Sequence, residues 1–236
     1  MGMNVLVIDI GGSSVKLFSK NDAQSAEFDS GPDLTPSSFA TQVKALTAGW
    51  TYDVVSIGYP GTVVEGLAEA EPGNLGNGWV GYDFERTLGR PVRLVNDAVL
   101  QAMGGYEQGT MLFLGLGTGV GSVIVAGKVV MPLELGCLWF HDGSTLFDRL
   151  GHEALEREGP TQWQRSVREA AVMLHRAIRF DSLVLGGGNA RLVDPLPPFT
   201  RRGSNQDAFE GGIRLWDELV EPHDKAPPRR VWRILN

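Results

Sequence analysis

The chain has one cysteine, Cys137, so it holds no internal disulfide framework and no cysteine-rich zinc site. That scarcity fits a reducing compartment. It also lacks an uninterrupted apolar run of about 18 residues, the length a membrane-spanning helix needs. The best stretch, Met111–Ala126, is broken by four glycines and reads as strand, turn, strand. Positive charge is scarce too. With 21 Lys and Arg against 28 Asp and Glu, the net charge of −7 argues against nucleic acid or an anionic membrane as the main partner. The N-terminus has no basic region followed by an apolar core, because Val5–Ile10 is interrupted by Asp9 and then by Gly11-Gly12. Low-complexity segments are absent, and no Gly-X-Y triplet repeats, which excludes a collagen-like chain. A soluble, cytoplasmic protein is therefore expected.

What the chain has in excess is glycine: 31 of 236 residues, nearly twice the usual share of about 7%. A 42% hydrophobic content with 21% charged residues can bury a core, so the glycines belong to a folded chain. The length allows one large domain or two smaller ones. Asn4–Phe18 is a β-branched run, a glycine turn and a second apolar run, which predicts a hairpin. Met111–Val125 repeats that layout about a hundred residues later, suggesting two halves of similar architecture. Val54–Tyr59 and Val92–Val95 read as buried strands. Helices are expected over Ser37–Ala48, from Asn96-Asp97 with Ala98, Val99, Ala102, Met103 and Tyr106 on one face, over Gln164–Phe180, and over Asp207–Leu219. Ser182–Leu185 reads as a short strand, and the segment from Glu221 as an appended extended tail. Strands alternating with helices predict an α/β fold.

Three glycine turns and one acidic step carry the chemistry. The first turn is Asp9-Ile-Gly-Gly-Ser-Ser-Val-Lys16. Bare backbone N–H groups there can form an anion nest, and Asp9 at the strand end can hold Mg²⁺ directly or through water. On its own the turn reads equally as a hairpin with a surface Asp, and it lacks the spacing of a Walker A loop. The second turn, Gly115-Leu-Gly-Thr-Gly-Val-Gly121, makes another nest around a Thr hydroxyl. A Rossmann turn would need a helix after it, whereas Ser122–Val125 reads as strand. The third, Leu185-Gly-Gly-Gly-Asn-Ala190, sits after a strand, where a nucleotide could lie against bare backbone; alone it reads as a plain loop. The acidic step is Leu94-Val-Asn-Asp-Ala98. Asp97 at a helix N-terminus is held as the carboxylate by the helix dipole, which suits a general base; it also suits an ordinary helix cap.

Taken in order, Asp9-Ile-Gly-Gly-Ser, Asn96-Asp97-Ala98, Leu116-Gly-Thr-Gly-Val-Gly121 and Leu185-Gly-Gly-Gly188 resemble the ROK sugar kinases of the hexokinase/actin/Hsp70 superfamily. Tyr59-Pro-Gly-Thr-Val63 and Pro72-Gly-Asn-Leu-Gly-Asn-Gly-Trp79 look like the polyphosphate-glucokinase branch. The resemblance runs from about residue 4 to about 219. It implies two ribonuclease H-like (actin-like ATPase) domains, 1–108 and 109–220, with a cleft between them and a tail over 221–236. It implies transfer of a phosphoryl group from ATP or polyphosphate to the 6-hydroxyl of a hexose such as glucose. Asp97 would be the base and Asp9 the magnesium-organising carboxylate. Gly11, Gly12, Ser13, Lys16, Gly117, Thr118, Gly119, Gly186, Gly187 and Gly188 would hold the donor. Gly61, Asn74, Asn96, Asp97, Glu134 and Cys137 would line the sugar site, and about half of all the glycines would face one cleft. A homodimer is one possible assembly, and a DNA-binding repressor arrangement is disfavoured because strand one starts at about Asn4.

Two departures stand out. The family's sugar motif is Glu-x-Gly-His with a second Glu two residues on; here Glu134-Leu-Gly-Cys137 puts Cys at the His position and Trp139 at that Glu. A thiol is a weak hydrogen-bond partner and an indole offers only a donor. This leaves two alternatives open: a binding protein with little catalysis, or a kinase for a different acceptor. The family's cysteine-rich zinc motif is also missing, so no structural zinc is expected. Cys137 is expected to be a buried thiol of the cleft wall. Arg201-Arg202 is expected in a solvated loop, and His141, His152, His175 and His223 show no metal-pair spacing.

Overall fold

The computed structural model describes residues 3–20, 23–127, 129–217, 220–222 and 232–234. The first half begins with β1 (Val5–Ile10), β2 (Ser14–Ser19), β3 (Gln24–Asp29), α1 (Pro36–Leu46) and β4 (Val54–Tyr59). A small ribbon of β5 (Val63–Val64) and β6 (Leu67–Ala68) follows, then α2 (Phe84–Leu88), β7 (Val92–Asn96) and α3 (Asp97–Gly105). The second half runs through β8 (Met111–Leu116), β9 (Val120–Ala126), β10 (Val129–Leu133), a 3-10 turn (Leu135–Cys137), α4 (Leu146–Leu150) and α5 (His152–Ile178). It continues with β11 (Ser182–Gly186), a second 3-10 turn (Ala190–Leu192), β12 (Thr200–Arg202), α6 (Asn205–Arg214), β13 (Val220–Pro222) and β14 (Trp232–Ile234).

The two sheets repeat one topology. The first has the order β3-β2-β1-β4-β7, an antiparallel meander joined to two parallel strands. The second has β10-β9-β8-β11-β12 in the same arrangement, extended beyond β10 by β14 and β13. This is the duplicated layout that the two glycine hairpins predict. The residues 220–222 and 232–234 thus join a sheet rather than trailing from it.

Side-chain alternation explains the layering, because successive strand residues face opposite sides. Val5 and Val7 of β1 face inward with Met111 and Phe113 of β8. Leu6, Ile8 and Ile10 face the other way, against Phe39 and Val43 of α1. Leu112, Leu114 and Leu116 face Trp163, Val167 and Leu174 of α5. Both faces of each central strand are covered, so the strands read as continuous apolar runs.

Between the sheets lie α3 and α6. They cross so closely that a Cβ on Gly211 would collide with the Leu100 carbonyl, and one on Gly104 with the Asp207 carbonyl. Although α6 follows the second sheet in sequence, it docks on the first. Ser56 Oγ donates to Gly212 O at 2.6 Å, and Trp216 Nε1 donates to Ser56 Oγ at 2.9 Å. Its N-terminus is a capping box: Ser204 Oγ accepts from Gln206 N, and Asp207 accepts from Ser204 N at 2.9 Å. The helix ends at Arg214, earlier than the expected Leu219, and residues 218–219 lie outside the described residues. The α5 region starts earlier than Gln164, at His152, and is broken at Gly159 (φ 76°), just before Pro160.

Candidate active site

Asp9, Asn96, Asp97 and the three glycine turns sit at the carboxyl ends of parallel strands, where open α/β sheets place their ligands, whereas Lys16 lies within β2 and Glu134 and Cys137 follow β10. Asp9 is at the end of β1, paired across the hairpin with Lys16 and across the parallel ladder with Gly58 of β4. Asn96 ends β7 and caps α3: its Oδ1 accepts from Ala98 N at 3.0 Å, and its Nδ2 donates to Gly61 O at 3.1 Å. One side chain thus ties the helix start to the Pro60-Gly61 loop. Asp97 opens α3, its Oδ1 accepting from Ala98 N at 2.8 Å.

Two glycines seat this acidic step. A Cβ at Gly58 would lie 3.2 Å from Asp9 Oδ1, 3.3 Å from Asp97 Cα and 2.8 Å from Leu100 Cδ1. A Cβ at Gly121 of β9 would lie 3.1 Å from Ala98 Cβ. These glycines allow α3 to approach both sheets, so their bareness serves packing. Gly115 and Gly186 are cross-strand partners, and both lie against the Phe113 ring. The excess of glycine therefore has two sources, of which ligand approach is only one.

The three turns converge from both halves of the chain. The position of a Cβ on Gly12 lies 2.5 Å from Thr118 Oγ1 and 3.6 Å from Asn74 Nδ2. That joins the first turn, the second turn and the Asn74 loop. The second turn is held by Gly117 N donating to Gly119 O at 3.2 Å and His152 N donating to Gly117 O at 3.0 Å. The third turn is fixed against it: Asn189 N donates to Leu116 O at 3.0 Å, and Gly187 (φ 79°) has that same carbonyl 2.5 Å from where its Cβ would be. Gly12, Ser13, Thr118, Gly187 and Gly188 are exposed, whereas Asp9, Lys16, Asp97 and Asn74 are half-buried.

Electrostatics mark the same spot. Asp97 is pushed up to about 7, first by burial, then by the charge of Asp9 and, less, of Glu134; backbone N–H groups pull the other way. Asp9 is pushed up to about 6 by burial, opposed by Lys16. Two carboxylates that each resist ionisation, side by side at strand ends, are a site candidate with a physical reason. Asp9 Oδ1 is buried without a hydrogen-bond partner. Among the described residues, no three His, Cys, Asp or Glu side chains cluster as a metal site.

Some expectations need correction. Cys137 is exposed, because the 3-10 turn carrying it lies at the surface with only Gly136 buried. Arg201 and Arg202 lie in β12 rather than in a solvated loop. Arg201 donates to Gly105 O and lies 3.4 Å from Glu107, while Arg202 donates to Val193 O at 2.6 Å. Sequence reading also missed what holds the Asn74 loop. The carboxylate of Glu71 accepts from Gly78 N, Trp79 N and Val80 N at 3.0–3.3 Å, and Trp79 is fully buried beside Phe39 and Tyr59. Tyr59 Oη donates to Ala70 O at 2.9 Å. An acidic residue ahead of a glycine-rich loop was the available signal.

Comparison with solved structures shows the architecture directly. The inorganic polyphosphate/ATP-glucomannokinase of Arthrobacter sp. strain KM superposes with a TM-score of 0.77 at 22% identity, covering 90% of this chain and 97% of that one. The fold is that of the ROK sugar kinases. A ROK family glucokinase from Streptomyces griseus, solved with glucose and AMPPNP, gives a TM-score of 0.68 at 15% identity, over 90% of this chain and 99% of that one. No family model matches the sequence. Among curated proteins, the polyphosphate glucokinase of Mycobacterium tuberculosis is 24% identical over 185 residues, which is 70% of this chain and 67% of the relative. Within the ROK fold, no helix of the described residues is long and apolar enough to cross a membrane.

Proposed function

We propose that this protein is a sugar kinase that transfers the terminal phosphoryl group of ATP or polyphosphate to the 6-hydroxyl of a hexose such as glucose. The observation that carries this is the meeting of Gly12, Thr118 and Asn74 at one point, with Asp9 and Asp97 across Gly58. The likeness to polyphosphate glucokinases and to ROK glucokinases supports the same reading.

In this reading the donor lies on Gly11, Gly12, Ser13, Gly117, Thr118, Gly119 and Gly186–Gly188, with Lys16 near its charge. The hexose lies against Gly61, Asn74, Asn96 and Glu134. Asp97 takes the proton from the 6-hydroxyl as that oxygen forms the new bond to phosphorus. The bond to the donor's bridging oxygen breaks, and the donor leaves with that electron pair. Positioning and charge stabilisation supply most of the rate. A base with a pKa near neutral pH suits the task, being ionised yet basic enough to accept the proton. Asp9 fits a magnesium ion, since its buried oxygen lacks a protein partner and one carboxylate beside donor phosphates is a common Mg²⁺ arrangement. The ion would neutralise charge on those phosphates.

The test is phosphoryl transfer by the purified protein to a panel of hexoses from ATP and from polyphosphate. Transfer above an Asp97→Asn control supports the reading, and its absence refutes it. A second reading, a sugar- or nucleotide-binding protein with little catalysis, is favoured by the Cys137 and Trp139 positions. Calorimetry showing tight ligand binding without turnover would support it.

A further inference from the structure

The helix that presents Asp97 is poorly equipped to hold its own far end. α3 spans nine residues, about 13 Å, and closes on Gly104-Gly105. Each glycine weakens a helix by about 1 kcal/mol relative to alanine. Both are required here: a Cβ on Gly104 would meet the Asp207 carbonyl, and one on Gly105 would lie 3.0 Å from Asp207 Oδ2. The last turn of α3 contains no basic residue, and its C-cap, Tyr106, is extended. The final carbonyls of a helix have no partner within it. In α3 they are met from outside.

Arg214, in the last turn of α6, donates through Nη1 to Met103 O and, at 3.2 Å, to Tyr106 O. Arg201 of β12 donates through Nη2 to Gly105 O. Two guanidiniums from the second half of the chain thus take three carbonyls at the end of a helix from the first half. Positive charge at this end also complements the helix dipole. The tie is reciprocal. Arg93 of β7, four residues ahead of Asp97, donates to the carbonyl of Leu215, the C-cap of α6, and stacks over the Trp216 ring at 4.3 Å. Each of the two crossing helices is therefore capped by an arginine from the other half.

This arrangement bears on register. Asp97 belongs to the first half, whereas the second and third glycine turns belong to the second. Asn96 fixes the near end of α3 to the Gly61 loop of its own half. Arg201 and Arg214 join its far end to the half that carries those two turns. A general base must lie within hydrogen-bond reach of the proton it takes, and a misplacement of about 1 Å can cost about 10²-fold in rate.

We propose that Arg214 and Arg201 are positioning residues for Asp97, capping α3 from the second half so that its first residue is held against the hexose 6-hydroxyl. This rests on the kinase reading above.

The experiment is a double-mutant cycle. Steady-state kinetics are measured for wild type, Arg214→Ala, Arg214→Lys and Arg201→Ala, and for the same substitutions in an Asp97→Asn background, below the melting midpoint of every variant. Each alanine variant should lower kcat about tenfold or more. Both KM values should stay within about twofold. Arg214→Lys, which keeps a charged donor, should recover most of the loss. In the Asp97→Asn background the same substitutions should change the rate less than about twofold, because a base that is absent cannot be misplaced. An equal loss in both backgrounds, the mark of a purely structural role, overturns the proposal, as does an unchanged kcat in both alanine variants. If the wild type phosphorylates no hexose, the kinase reading fails separately. Amide hydrogen exchange then decides: faster exchange along α3 in the alanine variants, with β1 and β8 unchanged, supports the capping of α3, and unchanged exchange along α3 overturns it.

Discussion

Replacing Asp97 with Asn should stabilise the ligand-free, magnesium-free protein at pH 8 while removing its proposed base. In the unfolded chain the carboxyl ionises at its ordinary 3.8, and in the folded chain it holds its proton to about 7. Between those values the folded state binds more protons than the unfolded one, so rising pH destabilises the fold. Above about 7 the whole cost is present; below about 4 it is gone. At ~1.4 kcal/mol per pH unit the span corresponds to about 4 kcal/mol as an upper bound. The side chain is only half-buried, and water on its open side reduces the cost, to about 2 kcal/mol. For a chain of this length each kcal/mol moves the melting midpoint by about 2–4 °C. The Asn side chain keeps an Oδ1 that can accept from Ala98 N, and the Asn96 cap is untouched. Differential scanning fluorimetry of wild type and Asp97→Asn, at pH 4 and pH 8, should show a gain of roughly 4–8 °C at pH 8 and almost none at pH 4. A loss at pH 8, or the same gain at both pH values, would refute the electrostatic argument.

Three other outcomes follow from the geometry. Glu71→Ala leaves the N–H groups of Gly78, Trp79 and Val80 without their carboxylate, so steady-state kinetics should show the hexose KM rising more than the donor KM. Gly187→Ala forces a side chain into a left-handed conformation 2.5 Å from Leu116 O; the donor KM should rise more than the hexose KM, with stability falling by about 1 kcal/mol or more in urea unfolding. Gly211→Ala drives a methyl into the Leu100 carbonyl where α6 crosses α3, and overpacking of this kind costs about 1–3 kcal/mol. Because α3 carries Asp97, kcat should fall along with the melting midpoint.

Much of the fold was legible because it obeys local rules. The runs around Val5–Ile10 and Met111–Leu116 bury both faces, and each is followed by a glycine turn, so two matching hairpins could be read directly. Asn96 announced the start of α3 because its side chain does cap the helix. The edge strands β3 and β12 were missed, as Gln24–Asp29 is largely exposed and polar and β12 has only three residues. The early part of α5 was missed; it lies ahead of Gly159 and Pro160, where the helix is broken. The return of α6 to the first sheet rests on contacts between residues over 150 positions apart, such as Ser56 with Gly212. No local pattern encodes that. In the site, Asp9, Asp97 and the three turns were visible as motifs. The exposure of Cys137 was not, because it depends on how the 3-10 turn Leu135–Cys137 sits on Val120 and Phe147. Nor was the structural share of the glycine excess, since Gly58, Gly121 and Gly211 declare their purpose only once their neighbours are in place.

The central claim is that Asp97 deprotonates the hexose 6-hydroxyl as that oxygen attacks a phosphoryl donor held by the glycine turns. Its most direct measurement is kcat for hexose phosphorylation by wild type and Asp97→Asn, with ATP and with polyphosphate, on protein whose folding has been verified by its melting midpoint. A wild type that turns over with at least one donor, and a variant slowed about 10²–10⁴-fold, is the predicted result. A wild type without transfer, or a variant that keeps its rate, would contradict the account.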